Sequence, residues 1–592
     1  MSNNASLISM LIALWHKLNL KRKKQFVGIA LLMVLASLSE VISIGIIFPF
    51  LGMLTAPEKI MHYSVVQTVV NFFNISTPSE MLLVALTLFV VSVVFAGIIR
   101  LTLLYANTRF SYAIGADLSL DVYRRALYQP YSIHISQNSS EVINAINGKT
   151  AMIIGSILVP VTTLLSASIL FIGIFLAVIA INALVALALV IFFGFIYYLI
   201  LRFTKKSLHQ NSECIARESS QVIKSLQEGL GGIRDVLLDG TQETYCKIYQ
   251  QADLPLRLAQ GNNSFISASP RFLIEMIGMI LVAFAAFYLT KNGEENGETL
   301  VIPVLGALAL AAQRILPVLQ QGYSSLAIMR GAKASLGDVL IMLDQPLPSI
   351  LNRSSAELIT YKKNIILENV GFAYSKESPF ILSNINIEIL KGQRVGFIGA
   401  TGAGKSTLLD IVMGLLSPTE GVLAIDGQSI DSKNIRKWQN HIAHVPQGIY
   451  LADSSIEENI AFGVPAQDID HFRVRLAASQ AQVSHVIESW PLQYRTKIGE
   501  RGIRLSGGQR QRIGIARALY KQASVIIFDE ATSALDGDTE KMVMDAVDGL
   551  NKDLTILIIA HRLTTLKNCD IIVELEHGKI KRVGKYSSLF NI

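Results

Sequence analysis

A glycine-rich stretch in the last third of the chain has the spacing of a phosphate-binding loop. Residues 399–406 read G-A-T-G-A-G-K-S, which fits G-x-x-x-x-G-K-[ST], and they follow an apolar run that predicts a buried strand. Glycines let backbone N–H groups face phosphate oxygens, and the helix expected next adds the positive end of its dipole. We predict that this loop binds a nucleotide through Gly399, Thr401, Gly402, Gly404, Lys405, Ser406 and Thr407.

The same loop carries two side chains with distinct predicted roles. Lys405 is expected to reach the β- and γ-phosphates of a nucleotide, and the Ser406 hydroxyl is expected to bind Mg²⁺. Another apolar run begins at Ser524 and ends at Asp529, which is placed to hold the same Mg²⁺ ion. Glu530 follows directly and is the candidate general base that polarises the attacking water. The pattern predicts hydrolysis of a nucleoside triphosphate.

A third apolar run, residues 555–560, ends at His561, whose imidazole could contact the γ-phosphate. A histidine at a strand end is by itself more often structural. The two neighbouring strands with their loop and carboxylates are what favour a catalytic role for His561.

A second anion-binding turn, Ser506-Gly507-Gly508-Gln509, lies roughly 100 residues after Lys405. A Ser-Gly-Gly turn at a helix start forms a nest of N–H groups that binds an anion. The loop at Lys405 already has its own donors, so this nest needs a phosphate bound elsewhere. The turn resembles the signature of the ATP-binding cassette (ABC) family, and with it residues 362–592 resemble a cassette nucleotide-binding domain.

The resemblance implies roles for further residues. In that family the signature of one subunit covers ATP held by the phosphate loop of the other. Tyr374 matches the aromatic residue that stacks on adenine, Gln447 the glutamine that joins the metal site to the transmembrane contact, and Asp536 the loop that crosses the dimer interface. Residues 499–502 match an exporter-type loop that senses the membrane domain. A homodimer with two ATP–Mg²⁺ sites is therefore expected.

The elements that carry these residues are fused to a strongly apolar N-terminal part. The chain of 592 residues is 51% hydrophobic and only 16% charged, whereas soluble domains contain about 25% charged residues. Because a membrane-spanning helix needs about 20 apolar residues, we predict six spans, at 26–54, 81–106, 150–179, 183–203, 272–290 and 300–329. The expected fold is an α-helical membrane domain followed by an α/β phosphate-loop domain.

The net charge of +7 is explained by basic residues in the loops next to the predicted spans. Basic residues cluster in the segments 107–149 and 204–271 and before the first span, so the positive-inside rule places both termini and these loops in the cytoplasm. We therefore predict a protein of the cytoplasmic (inner) membrane, and we expect no nucleic-acid partner. Transverse turns able to touch another domain are predicted at Tyr128–Ser136 and Leu226–Asp239.

Four segments follow from these patterns. Residues 1–24 are predicted to form an interfacial helix, 25–340 the transmembrane domain, 341–361 a linker and 362–592 the nucleotide-binding domain. The order of a six-span domain with two long cytoplasmic loops and then a cassette resembles an ABC exporter half-transporter. That resemblance covers essentially the full chain.

Three charged residues inside the predicted spans stand out: Glu40, Glu275 and Arg314. Charges inside the membrane are costly and often functional. One interpretation has Arg314 facing the transport cavity and attracting an anionic head group. The alternative is an ion pair between Arg314 and Glu40 or Glu275 that fixes helix packing, and the sequence leaves both open.

The segments 270–275 and 314–317, together with a short helix predicted in the outer loop 55–80, resemble one exporter branch. These are the bacterial flippases of lipid-linked oligosaccharides, which implies an amphipathic, anionic polyprenyl-diphosphate substrate drawn from the membrane. The alternatives are an exporter of another lipid, a peptide or a drug, or a cassette that gates a channel or regulates another protein.

Overall fold

The computed structural model describes residues 5–55, 77–181, 183–280, 283–284, 301–347, 359–375, 377–530, 537–549, 553–560 and 566–590. The chain divides into two compact units. The first is Met1–Gln129 with Gln137–Leu347, and the second is Pro130–Ser136 with Pro348–Ile592. The division after Leu347 falls inside the segment predicted as the linker, 341–361. The second unit also includes a short piece of chain, 130–136, from within the helical part.

The described elements of the first unit are helices. They are Leu7–Lys17, Leu20–Thr55, Pro78–Leu127, Ser139–Ile143, Asn144–Lys149, Thr150–Ile153, Ile154–Leu158, Val159–Ile181, Ala183–Gly231, Ile233–Leu238, Gln242–Ala268, Val301–Gly331 and Lys333–Asp344. Among the described residues, three stretches are long and apolar enough to cross a membrane, namely Leu20–Ser43, Glu80–Leu127 and Ser139–Leu176. The outer-loop helix predicted within 55–80 and the second half of the span predicted at 272–290 lie outside the described residues.

The helix Pro78–Leu127 shows why the spans continue beyond the bilayer. It starts with a capping box, in which the side chains of Thr77 and Glu80 bond each other's backbone N–H groups, and a proline follows the cap. Its 50 residues correspond to about 75 Å at 1.5 Å per residue, more than twice the bilayer core of about 30 Å. The apolar first half is long enough to cross a membrane, so the polar second half extends beyond the bilayer.

The helix that carries the third predicted span contains two π-helical stretches, Asn144–Lys149 and Ile154–Leu158. The Thr150 hydroxyl donates to the carbonyl of Ala145, 2.8 Å away and five residues earlier, as the wider turn requires. Lys149 is buried here and pairs with Asp338 of the last helix of the unit. The packed core of this region includes Ile153 and Leu336, which ties that last helix to the middle of the unit.

The second unit contains two sheets. The larger one orders its six strands as Lys579–Gly584, Ile571–Glu576, Arg394–Ile398, Thr555–Ile559, Val525–Asp529 and Ile442–Val445. The five strands from Ile571–Glu576 onwards in this order pair in parallel. The smaller sheet is antiparallel, in the order Leu382–Leu390, Asn364–Phe372, Glu420–Ile425 and Gln428–Ser429.

The remaining described elements of the second unit are helices and short helical turns. They are Tyr131–Ser136, Lys405–Val412, Ile435–Gln439, Ile456–Ile460, Ala466–Asp468, His471–Gln480, Ser484–Glu488, Gln493–Arg495, Glu500–Gly502, Gly507–Tyr520, Gly537–Asp548 and Tyr586–Phe590. Strand Val525–Asp529 contributes Ile526 and Phe528 to one hydrophobic core and Val525 and Ile527 to the other. A strand buried on both faces reads as a continuous apolar run. The carboxyl ends of the parallel strands meet at one edge of the sheet, where ligands of such sheets bind.

Candidate nucleotide-binding and hydrolysis site

The glycine-rich loop joins the carboxyl end of strand Arg394–Ile398 to the helix Lys405–Val412. Gly404 caps that helix with a left-handed backbone, φ 94°. A Cβ added at Gly404 would lie only 2.7 Å from the Cδ2 atom of Leu382, and one at Gly399 only 2.3 Å from the carbonyl oxygen of Leu575. Both positions require glycine, so the tight loop follows from close backbone packing as well as from backbone conformation.

Lys405 lies against the inside of this loop. Its side chain is 7% exposed, and the ammonium donates to the carbonyl oxygens of Gly399 at 2.8 Å and Ala400 at 3.1 Å. Thr407, two positions further on, is also buried. A cation held at the mouth of a ring of N–H groups is suited to the β- and γ-phosphates of a nucleotide.

Ser406 and Asp529 come together from two neighbouring elements. The Ser406 hydroxyl donates to the Asp529 carboxylate, and burial, followed by the nearby Glu530, raises the pKa of Asp529. Ser406 and Lys405 partly offset this rise. One hydroxyl and one carboxylate beside a phosphate loop fit Mg²⁺, which takes few protein ligands and completes its shell with phosphate oxygens and water.

Glu530 has an unusual backbone and a fixed side chain. Its φ is 50°, in the left-handed region, and its N–H donates to the carbonyl of Ile559 at 3.1 Å. Gln447, just beyond strand Ile442–Val445, donates from Nε2 to Oε2 of Glu530 at 2.7 Å. A left-handed non-glycine residue costs on the order of 1–3 kcal/mol and is typical of functional sites. The strained turn sets the direction of the Glu530 carboxylate, and the hydrogen bond from Gln447 fixes its position.

Tyr374 stands beside the phosphate loop. Its ring is 48% exposed and packs edge-on against Phe372, with centroids 5.0 Å apart. Its hydroxyl lies 3.3 Å from Oγ1 of Thr407. An exposed aromatic face close to the phosphate-binding residues is suited to stacking on a nucleotide base.

The turn 506–509 begins the helix Gly507–Tyr520. Ser506 and Gln509 form a capping box: the Gln509 N–H donates to the Ser506 hydroxyl at 3.2 Å, and the Ser506 N–H donates to Oε1 of Gln509 at 2.9 Å. In the described part of the chain each of these side chains accepts a hydrogen bond from the other residue's backbone N–H, and neither bonds to the phosphate loop. The first N–H groups of the helix, at Gly507 and Gly508, have no intrahelical acceptor and remain available to an anion.

For three predicted site residues the structure describes either nothing or only the backbone. Asp536 and His561 lie outside the described residues, so their positions relative to Glu530 stay a prediction. Arg314 lies in the helix Val301–Gly331, where the backbone but not its side chain is described.

Glu40 and Glu275, the two carboxylates inside the predicted spans, each form an ion pair with an arginine. Glu40 is almost fully buried, with its Oε1 atom 3.4 Å from Nη1 of Arg100 on the next span. Glu275 lies 2.7 Å from Nε of Arg271, one turn earlier on its own helix. The pairing proposed from sequence considered Arg314 alone and overlooked Arg100, although Arg100 is itself a charge inside a predicted span and the same rule would have identified it.

Two further residues at the site were not predicted. Asp410 lies on the helix after the phosphate loop, and burial, with Asp529 nearby, raises its pKa to about 6. Tyr131 lies in the transverse helix Tyr131–Ser136; burial, then the proximity of Asp410 and Tyr374, raises the pKa of its phenol. Asp410 occurs one turn after Ser406 on the same helix, a spacing that could have indicated it. Nothing in the sequence pattern connects Tyr131 with Tyr374.

Comparisons with known proteins agree with this geometry. The family described as "ABC transporter" matches residues 382–533, and the "ABC transporter transmembrane region" matches residues 26–310. The chain is 30% identical to the ATP-dependent lipid A-core flippase of Saccharophagus degradans over 85% of this chain and 84% of that protein. It is 28% identical to the protein of the same name from Cupriavidus metallidurans, over 82% of this chain and 81% of that one.

A solved structure shares the fold. The structure of a bacterial Atm1-family ABC exporter with ATP bound aligns with a TM-score of 0.79 over 96% of both chains, at 22% identity. The predicted combination of a helical exporter-type membrane domain and an α/β nucleotide-binding domain is therefore confirmed. The chain belongs to the ABC transporter family, as a multi-pass membrane protein of the exporter type that couples ATP hydrolysis to transport.

Proposed function

We propose that this exporter works as a homodimer and moves a phosphate-bearing glycolipid out of the cytoplasmic leaflet of the inner membrane. The hydrogen bond between Gln447 and Glu530, beside Asp529 and Ser406, is the observation that carries the ATPase half of the proposal. The lipid half is supported by relatives that are named as lipid A-core flippases. The first substrate candidate is a polyprenyl-diphosphate-linked oligosaccharide, and the second is a lipid A-type glycolipid.

The geometry around the phosphate loop supports the following assignment of roles. Lys405 binds the β- and γ-phosphates, and Tyr374 stacks on adenine. Mg²⁺, when held by Ser406 and Asp529, would neutralise phosphate charge. Glu530 accepts a proton from the attacking water, and Gln447 keeps its carboxylate aimed at that water. We assign His561 to the γ-phosphate and Asp536 to the dimer interface from the sequence motifs.

The homodimer is proposed because one subunit supplies half of each site. The nest at Ser506–Gln509 bonds within itself, and its N–H groups need a phosphate that the phosphate loop of a second subunit would present. The transverse helix Ile233–Leu238 also leaves Ile233, Leu237 and Leu238 largely exposed. A second subunit would cover such an apolar face.

A segment shared between the two units of the chain provides a physical route for coupling ATP hydrolysis to transport. Residues 130–136 belong to the second unit, although the chain before and after them belongs to the helical unit. The Tyr131 phenol lies near Tyr374 and Asp410. A change around the nucleotide would thus act on a segment that is continuous with two long helices. To shift a two-state equilibrium from 1:99 to 99:1, ATP must favour one state by about 5.5 kcal/mol.

The test is ATPase activity and lipid flipping by the purified protein in proteoliposomes with defined glycolipids. We expect saturable stimulation by a polyprenyl-diphosphate oligosaccharide, and loss of that stimulation in Arg314→Ala with basal ATPase retained. Glu530→Gln is the matched control: it should still bind ATP while turnover falls by about 100-fold or more.

Other outcomes decide between the candidates. Stimulation by a lipid A-type glycolipid alone would replace the first substrate by the second. Vanadate-sensitive ATPase activity that no glycolipid changes, with no flipping, would contradict the proposed glycolipid transport.

A further inference from the structure

A cavity of about 690 Å³ lies between the first two long helices of the helical unit. Its walls come from the early turns of Leu20–Thr55 and from the middle of Pro78–Leu127. The volume is in the range of ligand pockets, about 300–1,000 Å³. The residues proposed above for nucleotide and substrate do not line it.

One end of the cavity is built around a fixed arginine. Arg22 donates two hydrogen bonds to the Asp117 carboxylate, from Nε at 2.8 Å and from Nη2 at 3.1 Å. Its Nη1 donates to Oε1 of Gln25 at 2.9 Å. The charge of Arg22 is thus largely neutralised by Asp117, and this group forms a rigid polar wall.

Arg109 supplies the uncompensated charge of the cavity. Its guanidinium carbon lies 5.8 Å from the ring centroid of Tyr105. Across the ranges that the structure describes, no carboxylate lies within ion-pair distance of Arg109. Arg22, Asp117 and Arg109 together carry a net positive charge, so the cavity favours an anion.

The rest of the cavity is apolar. Ile29 and Phe110 are buried in its wall, and Leu32 lies beside them. The outer surfaces of the same helices expose Leu31 at 68% and Leu104 at 64%. Exposed apolar side chains on membrane-spanning helices face lipid, so the cavity lies beside the bilayer.

We propose that this cavity binds the phosphate headgroup of an anionic phospholipid from the surrounding leaflet, as a resident lipid and not as the transported molecule. Guanidinium binds phosphate through charge-assisted hydrogen bonds, and basic pockets between membrane helices bind anionic headgroups. Arg109 binds the phosphate. Gln25 and the Arg22–Asp117 pair line the space for the headgroup, and the apolar residues contact the first methylenes of an acyl chain. The proposal does not rest on which glycolipid is transported.

Two pairs of variants test separately the empty volume of the cavity and its positive charge. Gly28→Leu fills the cavity, because Gly28 lines it and a Cβ added there meets nothing within 4 Å. Leucine is also favoured over glycine in a helix, by about 1 kcal/mol, so folding should survive. Gly97→Leu is its control, at an exposed helical glycine that also has open space but lies outside the cavity.

The charge variant is Arg109→Ala. Its control is Arg124→Ala, which removes an exposed arginine from the same helix about 15 residues further on, outside the cavity. Neither arginine has a proposed role in the ATPase site. Basal ATPase activity therefore reports on folding in all four variants.

The measurement is native mass spectrometry of the full-length protein from bilayers with equal amounts of phosphatidylglycerol and phosphatidylcholine. The wild type should retain phosphatidylglycerol preferentially. Arg109→Ala should lower the ratio of retained anionic to zwitterionic lipid by about tenfold, as expected for one charge-assisted bond. Gly28→Leu should remove retained lipid of both kinds, and the two controls should match the wild type.

Three results would overturn the proposal. Unchanged phosphatidylglycerol retention in Arg109→Ala would remove the anionic site. Loss of retention in Gly97→Leu or Arg124→Ala to the same extent would show that the lipid binds elsewhere. Displacement of phosphatidylglycerol by the transported glycolipid, with transport lost in Arg109→Ala, would make the cavity a substrate site instead of a resident-lipid site.

Discussion

Two carboxyl groups of the second unit differ in pKa because their surroundings differ. Burial, and then Asp529, raises the pKa of Asp410 to about 6. Asp426 accepts hydrogen bonds from the backbone N–H groups of Lys362, Lys363 and Asn364. Burial would raise the pKa of Asp426, but these bonds outweigh it and lower the pKa. The two residues should therefore change stability with pH in opposite directions.

For Asp410 the folded pKa lies above the ordinary value of 3.8. The folded state therefore holds the proton more tightly, and this contribution to stability is lost as pH rises through about 6. Asp410→Asn should raise the Tm of the nucleotide-free protein at pH 8 by about 2–4 °C, from roughly 1 kcal/mol after allowing for partial exposure. At pH 5, between the two pKa values, the gain from the same variant should be roughly half as large.

Asp426→Asn is the matched control. Its folded pKa is lowered, so its stabilisation is present above the ordinary carboxyl pKa and disappears as pH falls. This variant should lower the Tm at pH 8. Scanning fluorimetry in EDTA at both pH values measures the two effects, and a lower Tm for Asp410→Asn at pH 8 would contradict the burial argument.

Among the elements, the helix run from Ser139 to Ile181 is notable for its two π-helical stretches. Each extra residue in a π turn reorients the side chains that follow it. In this run the first stretch ends at Lys149, which lies buried against Asp338. The ion pair joins the helix run to the last helix of the unit, Lys333–Asp344.

Removing one partner of this pair should cost more than removing both. Asp338→Ala leaves a buried ammonium without its carboxylate and should lower the unfolding free energy by about 2 kcal/mol, less than a fully buried pair would lose because Asp338 is partly exposed. The double variant Lys149→Met with Asp338→Leu should recover most of the loss. Thermal melts of the three proteins measure this, and additive losses in the double variant would exclude the pairing explanation.

On the scale of the whole molecule, the sequence was most informative where chemistry depends on local spacing. The loop at 399–406, the acidic pair Asp529–Glu530 and the turn at 506–509 were all found from neighbouring residues. The loop and the acidic pair lie at one edge of the parallel sheet, because the carboxyl ends of parallel strands meet there, whereas the turn at 506–509 begins the helix Gly507–Tyr520. The hydrogen bond from Gln447 to Glu530 joins residues 83 positions apart. The family resemblance linked Gln447 to the metal site but did not indicate this bond.

Contacts between distant elements were not predictable in the same way. Arg100 meets Glu40 across two spans, and Tyr131 lies near Asp410 and Tyr374. These contacts depend on the rotation of one helix against another, which a sequence pattern of one chain does not specify. Among the described residues, three stretches are long and apolar enough to cross a membrane, and they overlap the first three predicted spans because bilayer thickness imposes a minimum apolar length.

The short segment 130–136 has a consequence for any experiment that uses the nucleotide-binding domain alone. That segment is contributed by the helical part of the chain but folds with the ATPase, so a fragment starting near residue 359 would be an incomplete copy of the unit. Its surface beside Tyr374 would lack Tyr131 and be wetter, and we expect weaker ATP binding by the fragment than by the full-length protein. Calorimetry with and without a synthetic peptide of residues 128–138 would measure the difference; equal affinity in the fragment and the intact exporter would show that the borrowed segment is dispensable.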